Sequence, residues 1–377
     1  MIGSLALGGA EIQLVRLVNG LDRNRFQPSI ICISERGVLL DSLEKDVSVA
    51  FTPVWAQKTS SRRARSRMLL AAQILIRLAG SIREQRPDIV HSYLPAAYVL
   101  GSIAAWLVRV PLIVAGRRAM TQPDHYGTLR WRNLARLANR VIDLHVCNSI
   151  AVQRVAAQEE GIKPERTRVV YNGIDLPPLA APVSLPREWQ SVGGHAAMVA
   201  NLIHYKGHRH VLQAVAQVVK RYPSFLLVLI GDGPERKALT DLVQELGISR
   251  NVLFAGRRPD APRLLGAFDF TVLGSSEEGF PNAVMESMAL AVPVVATAVG
   301  GLPELVEDGV HGKLVPFGDV GAMAEAMAWM LDHSAERSAM GRRGRERIER
   351  CFSTKQMVEA TESAYEEFLL KLPLPRA

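Results

Sequence analysis

Cysteine is scarce in this chain. Cys32, Cys147 and Cys351 are the only three in 377 residues, and they lie far apart. That spacing excludes a disulfide framework and a metal site built on closely spaced thiols, and it predicts buried thiols in a reducing compartment. Long hydrophobic runs are missing too. Although 48% of the residues are apolar, no run reaches the about 20 residues of a membrane span, and the chain does not open on a basic region followed by an apolar stretch. The expectation is a cytoplasmic protein. A dinucleotide fingerprint is absent: Gly231-Asp232-Gly233 ends an apolar run, but Pro234, Glu235 and Arg236 follow where a third glycine would have to be reached. A doubly wound dehydrogenase needs that turn, with an acid about twenty residues beyond it, so this class is set aside. Basic residues occur beside aromatics, but no recognisable nucleic-acid module accompanies them, and nucleic acid is not an expected partner.

What is present is enough chain for two cores and a pattern that alternates. Apolar runs at Ser29 to Ile33, Val47 to Phe51, Ile89 to His91, Leu112 to Ala115, Leu144 to Cys147, Phe225 to Ile230 and Phe268 to Leu273 have the length of buried strands, and segments of helical period separate them. That order argues for parallel, doubly wound sheets, which bind ligands at the carboxyl ends of their strands. Charge is uneven. Residues 1 to 185 carry 24 Lys plus Arg against 14 Asp plus Glu, whereas the remainder carries 21 against 23. An excess of that kind is either a solvated face or the mark of an anionic partner, such as a membrane surface or a phosphate-bearing acceptor.

The organising stretch is Ser275 to Glu286, Ser-Ser-Glu-Glu-Gly-Phe-Pro-Asn-Ala-Val-Met-Glu. It follows a strand and precedes a segment, Ala283 to Leu290, that suits a helix. Pro281 is placed in that helix's first turn, where its missing N–H is harmless. Glu278 then lies on the loop and Glu286 on the helix. The Gly279-Phe280-Pro281 break lets the first carboxylate fold back over the helix mouth, where unbonded N–H groups hold an anion. Glu278 to Glu286 resembles the E-x7-E signature of glycosyltransferase family 4, as do Val299-Gly300-Gly301-Leu302-Pro303-Glu304 and Gly231 to Arg236 around it. The resemblance implies a GT-B fold, two Rossmann-like, doubly wound α/β domains facing across a cleft, and a retaining transfer from a nucleotide-diphosphate sugar.

Further motifs extend the resemblance along the chain. Gly8 and Gly9, in Gly3 to Glu11, are similar to the family's first strand-to-helix turn, where the backbone approaches a phosphate or the acceptor. Only Met1 and Ile2 precede Gly3, so either the start lies further upstream or the first strand is missing. His91 ends a strand, and it either lines the cleft or serves as a structural residue. Arg117 occupies the place where many members carry a donor-contacting histidine, and it is expected to reach phosphate or a polar acceptor group. Asn201-Leu-Ile-His-Tyr-Lys206-Gly207 resembles the family's Arg-x4-Lys-Gly motif, with Asn201 replacing the arginine. Lys206 then neutralises the departing diphosphate, and Arg117 restores the missing charge. Asn201, Lys206, Gly231, Gly233, Glu278, Gly279, Phe280, Pro281, Asn282, Ala283 and Glu286 make up the implied donor site. Glu278 holds sugar hydroxyls and Glu286 the ribose, with Lys206, Glu278 and Arg117 at the chemistry.

The boundary reads as Tyr171-Asn172-Gly173-Ile174-Asp175, giving a first domain over 1–175 and a proline-punctuated linker over 176–190. A donor-binding domain over 191–353 follows, and a last helix over 354–377 crosses back to the first domain. Arg342, Arg343, Arg345, Arg347 and Arg350 read as a solvated basic face. Arg62, Arg63, Arg65 and Arg67 open an amphipathic segment, and Arg130, Arg132, Arg136 and Arg140 recur with Trp131. Both patterns point either to docking on an anionic membrane or to ordinary surface helices. No Asp-x-Asp pair occurs, so the expected transfer uses neither metal nor cofactor. Acceptors of lipid-linked or saccharide type, and a place on the inner face of the cytoplasmic membrane, complete this reading. The alternative is a catalytically impaired relative acting as a membrane-associated binding or scaffold module.

Overall fold

Strand pairs are parallel throughout the described residues, as the alternation of short apolar runs with helices requires. The computed structural model describes residues 1–52, 64–120, 129–178, 185–189 and 193–371. The chain divides into two compact units, Met1–Gly173 with Thr354–Ala377, and Ile174–Ser353. Each has the doubly wound architecture expected from the sequence.

The first unit holds β1 (Ile2–Ser4), α1 (Gly9–Gly20), β2 (Ser29–Glu35), β3 (Ser48–Phe51), α2 (Ala64–Gln85), β4 (Ile89–Tyr93), α3 (Pro95–Leu107), β5 (Leu112–Arg117), α4 (Leu129–Val141), β6 (Leu144–Cys147), α5 (Ile150–Glu160) and β7 (Thr167–Val169). Its strands run β1-β2-β3 and β4-β5-β6-β7. Two hydrogen bonds join the sheets, from the Met1 amine to His91 O at 2.6 Å and from Tyr93 N to Met1 O at 2.8 Å. The first strand is therefore present rather than missing. It is three residues long, and Ile2 pairs with Cys32. Along β5 the side chains alternate: Ile113 and Ala115 join a core with α2, α3 and α4, and Leu112 and Val114 join another with α1. The last helix packs into that second core through Met357, Tyr365 and Phe368.

The second unit holds β8 (His195–Val199), α6 (His208–Val218), β9 (Leu226–Ile230), α7 (Arg236–Glu245), β10 (Val252–Gly256), α8 (Ala261–Leu264), β11 (Phe270–Leu273), α9 (Asn282–Ala289), β12 (Val294–Thr297), α10 (Leu302–Leu305), β13 (Gly312–Val315), α11 (Val320–Asp332) and α12 (Ser334–Cys351); the first unit's last helix is α13 (Thr354–Lys371). Its six strands run β10-β9-β8-β11-β12-β13. The order reverses between β8 and β11, which makes the carboxyl ends of those two strands the place for a ligand.

Several expectations need correction. Cys351 is exposed, unlike Cys32 and Cys147. Arg343, Arg345 and Arg347 do not form a merely solvated face, for they donate to the carbonyls of Val310, Ala289 and Leu305 and so bind α12 to its unit. Arg62 and Arg63 lie outside the described residues, as do the side chains of Arg65, Arg67, Arg130, Trp131 and Arg132. Among the described residues no helix is long and apolar enough to cross a membrane.

The main correction concerns Arg117. Its side chain is 1% exposed and pairs with Glu160. It also donates to Tyr98 Oη at 2.8 Å, Asn139 Oδ1 at 3.0 Å and His145 Nδ1 at 3.4 Å. All three guanidinium nitrogens are thus engaged inside the first unit, and its burial and partners make Arg117 a packing residue. His91 resolves toward its structural alternative, since Nδ1 meets Tyr365 Oη at 2.6 Å. Burial, with Arg118 next, holds the His91 pKa well below the usual imidazole range. Replacing Arg117 by Ala leaves Glu160 buried without its cation, so unfolding in urea should show a loss of about 3–5 kcal/mol. Donor affinity of the folded fraction should stay unchanged, and a selective loss of donor binding would contradict the packing role.

Candidate active site

At the point of reversal the second unit brings two loops together through main chain. The loop after β8 ends in a 3-10 turn, His204–Lys206, and Gly207 then adopts the left-handed conformation, φ +70, that starts α6. A side chain at Gly207 would place its Cβ onto the Gly274 carbonyl, so only glycine allows this approach. Ser276 N donates to Tyr205 O at 2.8 Å and fixes the register of the two loops.

The consequence is an ion pair. Lys206 Nζ lies 2.6 Å from Glu278 Oε1, with side chains 18% and 8% exposed. Ser275 Oγ donates to the same carboxylate oxygen at 2.6 Å, while the Ser275 carbonyl accepts from Thr297 Oγ1 at 2.6 Å. The Glu278 main chain is held as well, because its carbonyl accepts from Gly301 N at 3.1 Å. Gly300, φ +53, gives room for this, since a Cβ there would meet the Glu278 carbonyl. Both hydrogen bonds fall on Oε1, which leaves Oε2 available to accept from a ligand hydroxyl.

The other implied donor residues line the same carboxyl edge. Gly231 and Gly233 follow β9, and the loop is tied to the one after β8 by Leu202 N to Asp232 O at 3.1 Å and Glu235 N to Leu202 O at 3.0 Å. Asn201 is exposed in that loop. Gly279 and Phe280 are buried, and the Phe280 ring rests on Phe352 with centroids 5.2 Å apart. Its side chain therefore anchors the loop. Pro281 is the N-cap of α9 rather than a residue of its first turn. Asn282 and Ala283 open the helix, where N–H groups have no acceptor within it. Glu286 stands just over one turn further along, partly buried. Gly8, the N-cap of α1, and Gly9 belong to the first unit with His91 and Arg117.

Sequence reading missed three residues. Ser275 and Thr297, which orient Glu278, belong to types too common at strand ends to stand out. His208 opens α6 and is 1% exposed, with neither ring nitrogen bonded. Its position directly after Lys206-Gly207 was the available signal. Burial first, and then the neighbouring Lys206 cation, lowers the His208 pKa to about 4, so the ring is neutral near pH 7. One fixed cation, one carboxylate with an open oxygen and a helix start form an arrangement able to hold a phosphate and a hydroxyl side by side.

Comparison with known proteins shows the family of the chain. The model described as Glycosyltransferase Family 4 matches residues 7–177, and the one described as Glycosyl transferases group 1 matches 194–347. The chain is 28% identical to the lipopolysaccharide core biosynthesis glycosyltransferase LpsE of Rhizobium meliloti, over 97% of each chain. It is 24% identical to the UDP-Gal:alpha-D-GlcNAc-diphosphoundecaprenol alpha-1,3-galactosyltransferase of Escherichia coli, over 94% of this chain and 96% of that one. Among solved structures it is similar to Anabaena HepE in complex with UDP-glucose, with a TM-score of 0.78 and 23% identity over 97% of this chain and 99% of that one.

The buried neutral histidine makes stability depend on pH. Above about pH 6.5 the ring is neutral in both folded and unfolded chains and contributes nothing. Between 6.5 and about 4 only the unfolded chain takes up the proton, so stability falls as pH falls and levels off below that. The loss assignable to His208 approaches about 3 kcal/mol. Measured by urea unfolding from pH 7 to 4, His208→Asn should show a shallower decline than the parent protein, and parallel curves would refute the assignment.

Proposed function

We propose that this chain, which belongs to the group 1 glycosyl transferases of glycosyltransferase family 4, moves a hexosyl group from a nucleotide-diphosphate sugar to its acceptor with retention of configuration and without a metal. It is a glycosyltransferase that acts on nucleotide sugars. The observation that carries the finer reading is the Lys206–Glu278–Ser275 arrangement at the sheet's point of reversal. Lys206 meets the diphosphate, and the N–H groups at the start of α9 add partial positive charge beside it. Glu278 Oε2 accepts from a sugar hydroxyl. Glu286 accepts from the ribose. Asn201, where the resemblance implies an arginine, contributes an amide donor and no charge.

In the proposed step the acceptor hydroxyl oxygen forms its bond to the anomeric carbon on the face from which the diphosphate departs. The bond from that carbon to the phosphate oxygen breaks, and the departing phosphate takes the acceptor's proton. Positive charge on the sugar and negative charge on the leaving group peak together. Lys206 offsets the second and is worth most there, because its surroundings are largely dry. No side chain is assigned as a nucleophile. The acceptor is proposed to be lipid-linked or a saccharide of the cell envelope, taken at the inner face of the cytoplasmic membrane. The E. coli relative, whose name includes a diphosphoundecaprenol, and the R. meliloti relative of lipopolysaccharide core synthesis support that choice.

A thermal-shift screen of UDP-, GDP- and ADP-sugars should find one donor that raises the melting temperature. With that donor, Lys206→Ala is expected to lower kcat/KM by about 100- to 1,000-fold, the range for removing one charge-stabilising donor. A loss under about threefold would show that the cation does not meet the transition state. Saturating chelator should leave turnover unchanged. Activity abolished by chelator and restored by Mn²⁺ or Mg²⁺ would remove the metal-free part of the proposal.

A further inference from the structure

The first unit has its own point of reversal. Its strands lie in the order β3-β2-β1 and β4-β5-β6-β7, with β1 and β4 joined through Met1. The carboxyl ends of β1 and β4 are therefore the place for a ligand in this unit. Tyr93 closes β4 at that edge, and Arg118 stands one residue past β5 with its guanidinium over the Tyr93 ring, 5.0 Å from the centroid.

Arg118 is half-buried and its partners are neutral. Nη1 donates to Asn172 Oδ1 at 2.5 Å and Nη2 to Tyr93 Oη at 3.3 Å, which uses two of the five N–H groups of a guanidinium. Nε is buried with no partner. Among the described residues no ion pair engages Arg118. The titratable groups beside it add no negative charge, because burial raises the pKa values of Tyr93 and Tyr365 and lowers that of His91. A cation withdrawn from water is ordinarily paired, as the adjacent Arg117 is with Glu160.

The turn that Arg118 touches is held without it. Gln13 and Gly173 exchange hydrogen bonds at 3.0 and 2.9 Å, and Arg16 Nη1 donates to Gly173 O at 2.8 Å. These bonds tie the turn to α1, the helix that starts at the same edge. Asn172 and Tyr93 thus aim the guanidinium, and its charge has no counter-ion of its own.

We infer that Arg118 binds a phosphate group of the acceptor at the point of reversal of the first unit, and that it selects phosphate-bearing acceptors over neutral saccharides. A guanidinium fork matches two phosphate oxygens at once, and the Tyr93 hydroxyl lies beside it. The inference deepens the acceptor reading above and rests on it for calling the ligand an acceptor.

Two probes that differ in charge test it: octyl N-acetylglucosaminide, and N-acetylglucosamine joined to an octyl chain through a diphosphate. Each is titrated calorimetrically into the full chain, into Arg118→Gln and Arg118→Lys, and into Lys206→Ala, which removes the cation proposed for the donor. Only the diphosphate probe should bind. Arg118→Gln should weaken it about 10- to 150-fold, the range for a hydrogen bond to a charged group. Arg118→Lys should keep part of the affinity, since it retains the charge without the fork. Lys206→Ala should bind the probe as the parent does, so failure of the donor site and failure of this site read out separately. Without ligand, the melting temperature of Arg118→Gln should stay near that of the parent. No binding, equal binding of both probes, affinity undiminished in Arg118→Gln, or loss in Lys206→Ala alone overturns the inference. A steep fall in melting temperature in both Arg118 variants would show a strut instead. Displacement of the probe by an equal concentration of inorganic phosphate would show a site for the free anion and overturn the assignment to an acceptor.

Discussion

The contact on which the site depends is one of main chain with main chain, Gly207 against Gly274. Because neither residue has a Cβ, the loops after β8 and β11 close to a distance that no other pair of residues permits, and Lys206 and Glu278 meet as a result. The ion pair is the product of that approach and not its cause. Withdrawing two charges from water costs about as much as their attraction returns, so a buried pair of this kind is weak evidence for stability. Its value is positional. Lys206 is held by the carboxylate of Glu278, which is itself fixed by Ser275, with its main chain held by the Gly301 amide. In the proposed donor site a diphosphate would compete for a cation that is already largely desolvated and positioned, leaving little reorganisation for the reaction itself.

Two cations show how surroundings decide the fate of one kind of charge. Arg117 and Lys206 both follow strands at the carboxyl edge of a doubly wound sheet. Around Arg117 the first unit provides Glu160, Tyr98, Asn139 and His145, which occupy every guanidinium nitrogen. Lys206 has one carboxylate, and an ammonium group has three protons to give. Position in the fold nominated both. Counting acceptors separates the buried strut from the cation proposed to meet the ligand.

Much of the fold was legible because its signals are local. Apolar runs three to six residues long, separated by helical segments, specify parallel sheets, and an E-x7-E spacing across a Gly-Phe-Pro break puts the first glutamate on a loop and the second on the helix after it. What stayed hidden is non-local. Nothing near residue 117 reveals that Glu160 lies beside it, and nothing near Arg343 or Arg345 reveals the carbonyls of Val310 and Ala289. The brevity of β1 was misleading for a related reason. A strand's length in sequence does not show that the residue before it is bonded to β4 through both its amine and its carbonyl, as Met1 is to His91 and Tyr93.

Net charge illustrates the same limit. The first 185 residues hold the whole positive excess, yet the proposed anion-binding site is in the other half, which is slightly acidic by count. A phosphate responds to potential within about a Debye length of 8–10 Å, so one desolvated lysine with a helix start outweighs a distant surplus. The surplus in the first unit is divided differently. Arg117 and Arg168 are spent on Glu160 and Glu367 within the unit, whereas Arg118 meets the neutral Asn172 and Tyr93. Composition records both populations as one number. Only the placement of each arginine relative to a carboxylate distinguishes a charge that holds the fold from one left uncompensated.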